Sequence, residues 1–320
     1  MTRVFARTLR CYRFDMGKER RSRMQRTRTG RRIELSPRDI EIFKLLRRYR
    51  HLRSTYIHAF VGGASETRFK ERLGDLFHEG YLDRPSQQWA FADARCMPVV
   101  YESGKGSVQA LRACGSGLDE NGPQVAATAH RQFLHALMIC EVLASIELGT
   151  RELDRLRFIG WPEILARAPE DTRASGTPLR LPLPTGGYLV PDGVFGIEYR
   201  ASHAKSYRFF ALEADRGTMP IARSNPRQTS YLGKLAAYGR IINGGVPKTH
   251  WGVPNLLVLT VTLGESRLAQ MLRLAGEGGG SPAFLFKAVS EPGLTRPLPE
   301  LLAEPWMRGA IAPLCIGEAR

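Results

Sequence analysis

Residues 191–238 read PDGVFGIEYRASHAKSYRFFALEADRGTMPIARSNPRQTSYLGKLAAY. The stretch YLVPDGVFGIEY (188–199) alternates as a strand hairpin does, and Tyr207 to Glu213 is an apolar strand between basic residues. Residues 229–242 then switch to helical spacing, with Leu232, Leu235, Ala236 and Ile242 inward. Asp192 follows a proline, Glu213 and Asp215 close the second strand, and Lys234 and Tyr238 lie four apart on one helix face. Three carboxylates on two short strands, with a lysine nearby, suit a hard divalent cation. Mg²⁺ takes carboxylate oxygens and keeps waters, leaving room for a phosphate oxygen. Mg²⁺ or Mn²⁺ held by Asp192, Glu213 and Asp215 would activate water for phosphodiester cleavage. A plainer reading stands beside it. Asp192 can make a turn after Pro191, and Glu213 and Asp215, on one strand face, can pair with Arg208 and Arg216.

Outward from this stretch, Asn255 to Leu263 (NLLVLTVTL) is a nearly continuous apolar strand, buried on both faces. Gly264 opens a helix to Leu274, and Phe284 to Val289 is a last strand. Upstream, Arg157 to Ile159 is a strand, and residues 124–148 form one long helix with Phe133, Leu137, Cys140 and Ala144 on one side. His130 and His135 are five apart on that helix and do not make a helical metal pair. The order of elements predicts an α/β sandwich with a central mixed sheet over residues 124–290. The proline-rich tail, 291–320, is expected to wrap the surface.

The 320-residue chain carries a net charge of +16, which points to a polyanionic partner. No apolar run in the sequence reaches membrane-spanning length, so double-stranded DNA is preferred over membrane insertion. Residues 1–32 hold 12 Lys or Arg against Asp15 and Glu19, the composition of a disordered arm that contacts phosphates. A start at Met16 or Met24 is the competing reading. Five cysteines without a CxxC, and no secretory signal, fit a reducing cytoplasm.

After the arm, Ser36-Pro37-Arg38-Asp39 starts a helix, with serine as cap and proline in the first turn. A second helix is read over Leu52–Phe60 and a third from Ser65, with Phe69, Leu73, Leu76 and Phe77 on its apolar face. Short strands at 87–91 and in PVVYESGKG complete a winged helix-turn-helix over 33–113, its third helix entering the major groove. Arg68, Lys70 and Arg72 are the expected DNA contacts, joined by Lys105 in a wing turn at Gly104-Lys105-Gly106-Ser107. That turn lacks the GxxxxGK[ST] spacing of a phosphate loop. Residues 114–123 are a turn-rich linker.

The ordered set of Pro191-Asp192, Glu213-x-Asp215 and a following helix with Lys234 resembles the PD-(D/E)XK, restriction-endonuclease-like fold. Joined to an N-terminal winged helix, and with LEADRGT followed by KLAAY, the chain resembles the replication-relaxation family of mobile elements over residues 35–290. That family is similar to plasmid mobilisation relaxases. The resemblance implies a metal-dependent DNA nickase in plasmid mobilisation or replication, working with other proteins of those processes. It assigns Asp192, Glu213, Asp215 and Lys234 to catalysis. One position departs from the pattern: Asp215 stands where such nucleases carry lysine, and Lys234, one helix later, would have to take its role. The alternative is a winged-helix regulator or transfer accessory factor with a degenerate nuclease domain. Tyr238 is open to two readings, a nucleophile or a packed side chain.

Overall fold

Ser36 caps the first helix, α1 (Pro37–Tyr49), by a closed capping box: its Oγ accepts from Asp39 N, and the Asp39 carboxylate accepts from Ser36 N at 2.8 Å. The computed structural model describes residues 21–30, 32–63, 65–90, 94–115, 130–201, 205–222, 230–277 and 280–319, without the side chains of 130 and 131. After α1 come β1 (Leu52–Arg53), α2 (Ser54–Val61), α3 (Glu66–His78), β2 (Leu82–Asp83), β3 (Val100–Ser103) and α4 (Lys105–Ala113). The strands form an antiparallel sheet in the order β1-β3-β2.

Three local expectations change here. Leu52 and Arg53 begin no helix, because they pair with Tyr101 and Val100 far along the chain. Residues 86–90 form a 3₁₀ turn in place of a strand. The Gln88 side chain supplies what strand backbone would have: its amide accepts from Val100 N at 2.9 Å and donates to Val100 O at 3.0 Å. Lys105 lies in no wing turn; it opens α4, for which Gly104 is the cap. A Cβ on Gly104 would stand 2.7 Å from Gly80 O, so this glycine allows the helix to approach the turn before β2.

The described part of the basic segment lies along this domain. Arg26 donates to Phe77 O at 2.8 Å and to Leu82 O at 2.9 Å, and the Thr29 hydroxyl reaches Glu79 at 2.6 Å. Residues 1–20 of the expected arm, and most of the expected linker, fall outside the described residues.

The long helix is α5 (His130–Arg151), followed by β4 (Leu156–Ile159), α6 (Trp161–Arg167) and α7 (Glu170–Ala174). A small hairpin, β5 (Leu181–Pro182) with β6 (Tyr188–Leu189), precedes β7 (Gly193–Arg200) and β8 (Lys205–Asp215). Then come α8 (Tyr231–Asn243), α9 (Val246–Trp251), β9 (Leu257–Leu263), α10 (Glu265–Glu277) and β10 (Phe284–Val289). The last elements are α11 (Glu300–Ala303), β11 (Trp306–Arg308) and β12 (Ile311–Leu314).

One mixed sheet runs β12-β11-β10-β9-β8-β7-β4, with β8, β9 and β10 parallel and the remaining pairs antiparallel. The fold is therefore α/β, as the order of elements predicts. α5 and α11 cover one face; α6, α8, α9 and α10 cover the other. The tail does not wrap the surface. It adds two strands to the sheet and buries Leu301, Leu302, Trp306 and Ile316 in the core.

α5 is shared between the two halves of the molecule. Ile139, Val142 and Ile146 pack on the sheet, while Cys140 and Ala144 belong to the N-terminal core. A helix apolar all round is one buried all round. By length and composition Gln132–Arg151 would also cross a membrane, yet most of it lies buried inside the protein.

Candidate functional site

Asp192 sits just before β7, and the register Gly193↔Leu212 sets it opposite Glu213 of β8. Its backbone N–H donates to Leu212 O at 3.1 Å, and its Oδ2 accepts from Ala214 N at 2.9 Å. The aspartate thus grips the backbone on both sides of Glu213. The glycine of the Pro-Asp-Gly turn has its own reason: a Cβ on Gly193 would lie 3.1 Å from Leu143 Cδ1 of α5. That close approach brings His135 of α5 to Asp192, Nε2 to Oδ1 at 3.2 Å.

Glu213 is buried and turned toward α8. Lys234 Nζ donates to its Oε2 and the Tyr238 hydroxyl to its Oε1. Four-residue spacing on α8 places both donors on one face, and the Ser230 cap fixes where the helix begins. Burial and the neighbouring Asp192 carboxylate push Glu213 up to about 8, against the pull of Lys234 and Tyr238. Burial works to raise Asp192 as well, but His135, the Lys234 charge and the Ala214 N–H hold it below its ordinary value. Burial works to lower Lys234; the Glu213 and Asp192 carboxylates outweigh it, and the ammonium is raised. The two carboxylates are thus unlike: their surroundings shift Asp192 toward the anion and Glu213 toward the neutral acid.

Asp215 is oriented differently. Arg267 of α10 grips it with Nε to Oδ2 at 2.5 Å and Nη2 to Oδ1 at 2.8 Å, and Thr262 Oγ1 adds a bond of 2.8 Å. Neither Arg208 nor Arg216 is its partner: Arg208 reaches Glu318 O and Arg216 pairs with Glu291. Among the described residues no group of three or more His, Cys, Asp or Glu side chains is arranged to hold a metal ion. What the fold does bring together is Asp192, Glu213 and Lys234, with His135 and Tyr238 behind them. The carboxylates that could hold a divalent cation here are Asp192 and Glu213, and all four of their oxygens are already in hydrogen bonds.

Tyr238 is fully buried and its hydroxyl is raised well above its ordinary value by that burial and by Glu213. A phenol with no surface open to solvent is out of reach of a phosphodiester in this arrangement. The packed reading is the one the geometry takes. His135 carries no sequence signal beyond its place on the helix; only the approach of α5 to Gly193 makes it a neighbour of Asp192.

On the N-terminal domain, Arg68 and Lys70 are exposed on α3, and Lys70 makes only a surface pair with Glu66 at 2.7 Å. Arg72 is engaged elsewhere. Its guanidinium bonds Asp39 at 2.6 and 3.1 Å and Glu34 O at 2.7 Å, tying α3 to the capping box of α1. Lys105 is exposed at the start of α4.

Comparison with curated proteins and with solved structures gives no match. The sequence does match one family along most of its length, from Phe43 in α1 to Leu257 at the start of β9, and by residues 43–257 the chain belongs to the replication-relaxation family.

Proposed function

We propose that this protein is a DNA-binding, divalent-metal-dependent nickase acting in the mobilisation or replication of a mobile element. Family membership supports the general role in replication or mobilisation. The observation that carries the finer reading is the Lys234–Glu213 contact. A lysine is missing two residues after the acid, and α8 returns one to that carboxylate from a different backbone position.

Asp192 and Glu213 would hold Mg²⁺ or Mn²⁺, and Asp215, neutralised by Arg267, would not. Such an ion supplies Lewis-acid activation of water and of the leaving oxygen. The protein's own part is positioning and charge. Asp192 is ionised and oriented by His135; Glu213 must release its proton to become a ligand; Lys234 offers a cation to a phosphate oxygen. The α1–β1–α2–α3–β2–β3 domain is read as a winged helix-turn-helix that docks double-stranded DNA through Arg68, Lys70 and Lys105. Other mobilisation or replication proteins are its expected partners.

Supercoiled DNA carrying the sequence beside the gene, incubated with Mg²⁺, Mn²⁺ or EDTA, tests this directly. Metal-dependent nicking that disappears in Asp192→Asn and Glu213→Gln is the expected result. A second reading has its own observation: both carboxylates of the Glu213-x-Asp215 pair are sealed by cationic partners. It makes the chain a non-catalytic DNA-binding regulator or accessory factor. Binding without cleavage in any metal would select it.

A further inference from the structure

A cleft of about 640 Å³ lies between the two halves of the molecule, with Asp192 among the residues that line it. One wall is α1, which presents Arg38, Lys44, Arg47 and Arg48; Arg151, at the end of α5, adds a fifth cation. Against these stand only Glu41, which accepts from Lys44 at 2.9 Å in an exposed pair, and Asp192 among the lining carboxylates. Glu147 accepts from Arg48 at 2.8 Å and from Arg151 at 2.7 Å, which still leaves one charge of that trio in excess. The Nε of Arg47 is shielded from water and has no hydrogen-bond partner among the described residues, a donor without an acceptor.

The rest of the lining is apolar and aromatic. Phe60, at the end of α2, is half-buried, with Arg151 at 4.7 Å and Arg48 at 5.9 Å from its ring centre; both guanidiniums bond the same Glu147 oxygen, so they lie on one side of the ring and leave its other face uncovered by them. Across from α1 stand Trp161 and Leu179. Duplex DNA presents phosphates and groove edges, with its base faces stacked away. A basic track with an aromatic ring and apolar walls is complementary to a strand whose base faces are free.

We propose that a single DNA strand occupies this cleft, which Asp192 also lines, with its phosphates on Arg38, Lys44 and Arg151 and a base on Phe60. The inference rests on the DNA-directed reading above and adds to it a separate site for the opened strand. α3 holds the duplex, while the cleft holds the strand.

Fluorescence anisotropy of the full chain with a labelled single-stranded oligonucleotide and a labelled duplex, across a salt series, tests it. Phe60→Leu keeps an apolar side chain in place but removes the stacking ring, and lowers strand affinity about tenfold. The double variant Lys44→Ala/Arg151→Ala removes two exposed cations without opening the core. It makes the slope of log affinity against log salt shallower by about 1.4 for the strand. Both variants keep duplex affinity, and thermal melting checks that each is folded. Strand affinity unchanged in both, with the duplex still bound, overturns the cleft alone. So does strand binding that is lost in Arg68→Ala/Lys70→Ala and kept in the cleft variants. A protein that binds neither duplex nor strand overturns the DNA-directed reading itself.

Discussion

Arg267 closes on Asp215 from α10 with two hydrogen bonds, at 2.5 and 2.8 Å, and both side chains are largely out of water. A carboxylate held in this way joins a helix to the sheet. Asp215→Ala leaves the guanidinium without its partner and is expected to cost about 3 kcal/mol of stability. Denaturant melts should show the loss, while folded Asp215→Ala keeps the metal-dependent nicking of the parent. Nicking abolished in a folded variant would return Asp215 to the catalytic set.

Glu213 predicts a pH dependence of both stability and activity. Its folded value, about 8, lies above the ordinary 4.5, so the folded state holds a proton that the unfolded chain releases. This contribution to stability is complete below about 4.5 and is lost as pH rises through about 8. Glu213→Gln should flatten that part of the stability–pH curve in urea melts. Nicking should run the other way, increasing toward pH 8 and above as Glu213 becomes an ionised ligand.

Tyr238→Phe removes the hydroxyl from Glu213 without changing the packing. The buried carboxylate then lacks one donor, at a cost of about 1–2 kcal/mol. Labelled DNA should remain free of covalent attachment to protein in the parent and the variant alike. A covalent adduct lost in Tyr238→Phe would overturn the assignment of this tyrosine as structural.

At the joint between the halves, Arg53 donates to Glu141 at 2.7 Å, and burial holds this carboxyl up near 7 in spite of the arginine. Arg53→Ala should destabilise by about 3 kcal/mol, whereas Arg53→Met/Glu141→Met recovers much of the loss. A double-mutant cycle in urea reads the coupling. Additive single effects would show that the pair does not hold the joint.

The N-terminal contacts divide by what each arginine already touches. Arg68→Ala and Lys70→Ala should each reduce the salt slope of duplex binding by about 1. Arg72→Ala should lower the melting temperature, because it removes the tie between α3 and the α1 capping box. Salt titrations and thermal melts on the three variants separate these effects.

Local chemistry was readable wherever the residues that decide it are neighbours. The Ser36 cap, the helical face of Lys234 and Tyr238, and the apolar run of β9 depend on spacings of two to four residues, and each stands as expected. The α/β order and the family also come from such units taken in sequence. Where a partner lies far away, the sequence was silent. Leu52 and Arg53 read as helix until β3 pairs with them, and the tail reads as surface until Trp306 and Leu301 find the sheet.

The sequence by itself determined which residues are charged, which faces are apolar and where the helices and most strands run, because periodicity and capping act over a few residues. Only the tertiary structure decided the use of each charge. Glu213 and Asp215 are two residues apart on one strand face, yet one meets Lys234 of α8 and the other Arg267 of α10. A carboxylate's partner and proton depend on burial and on charges brought near from other elements, and folding alone supplies both.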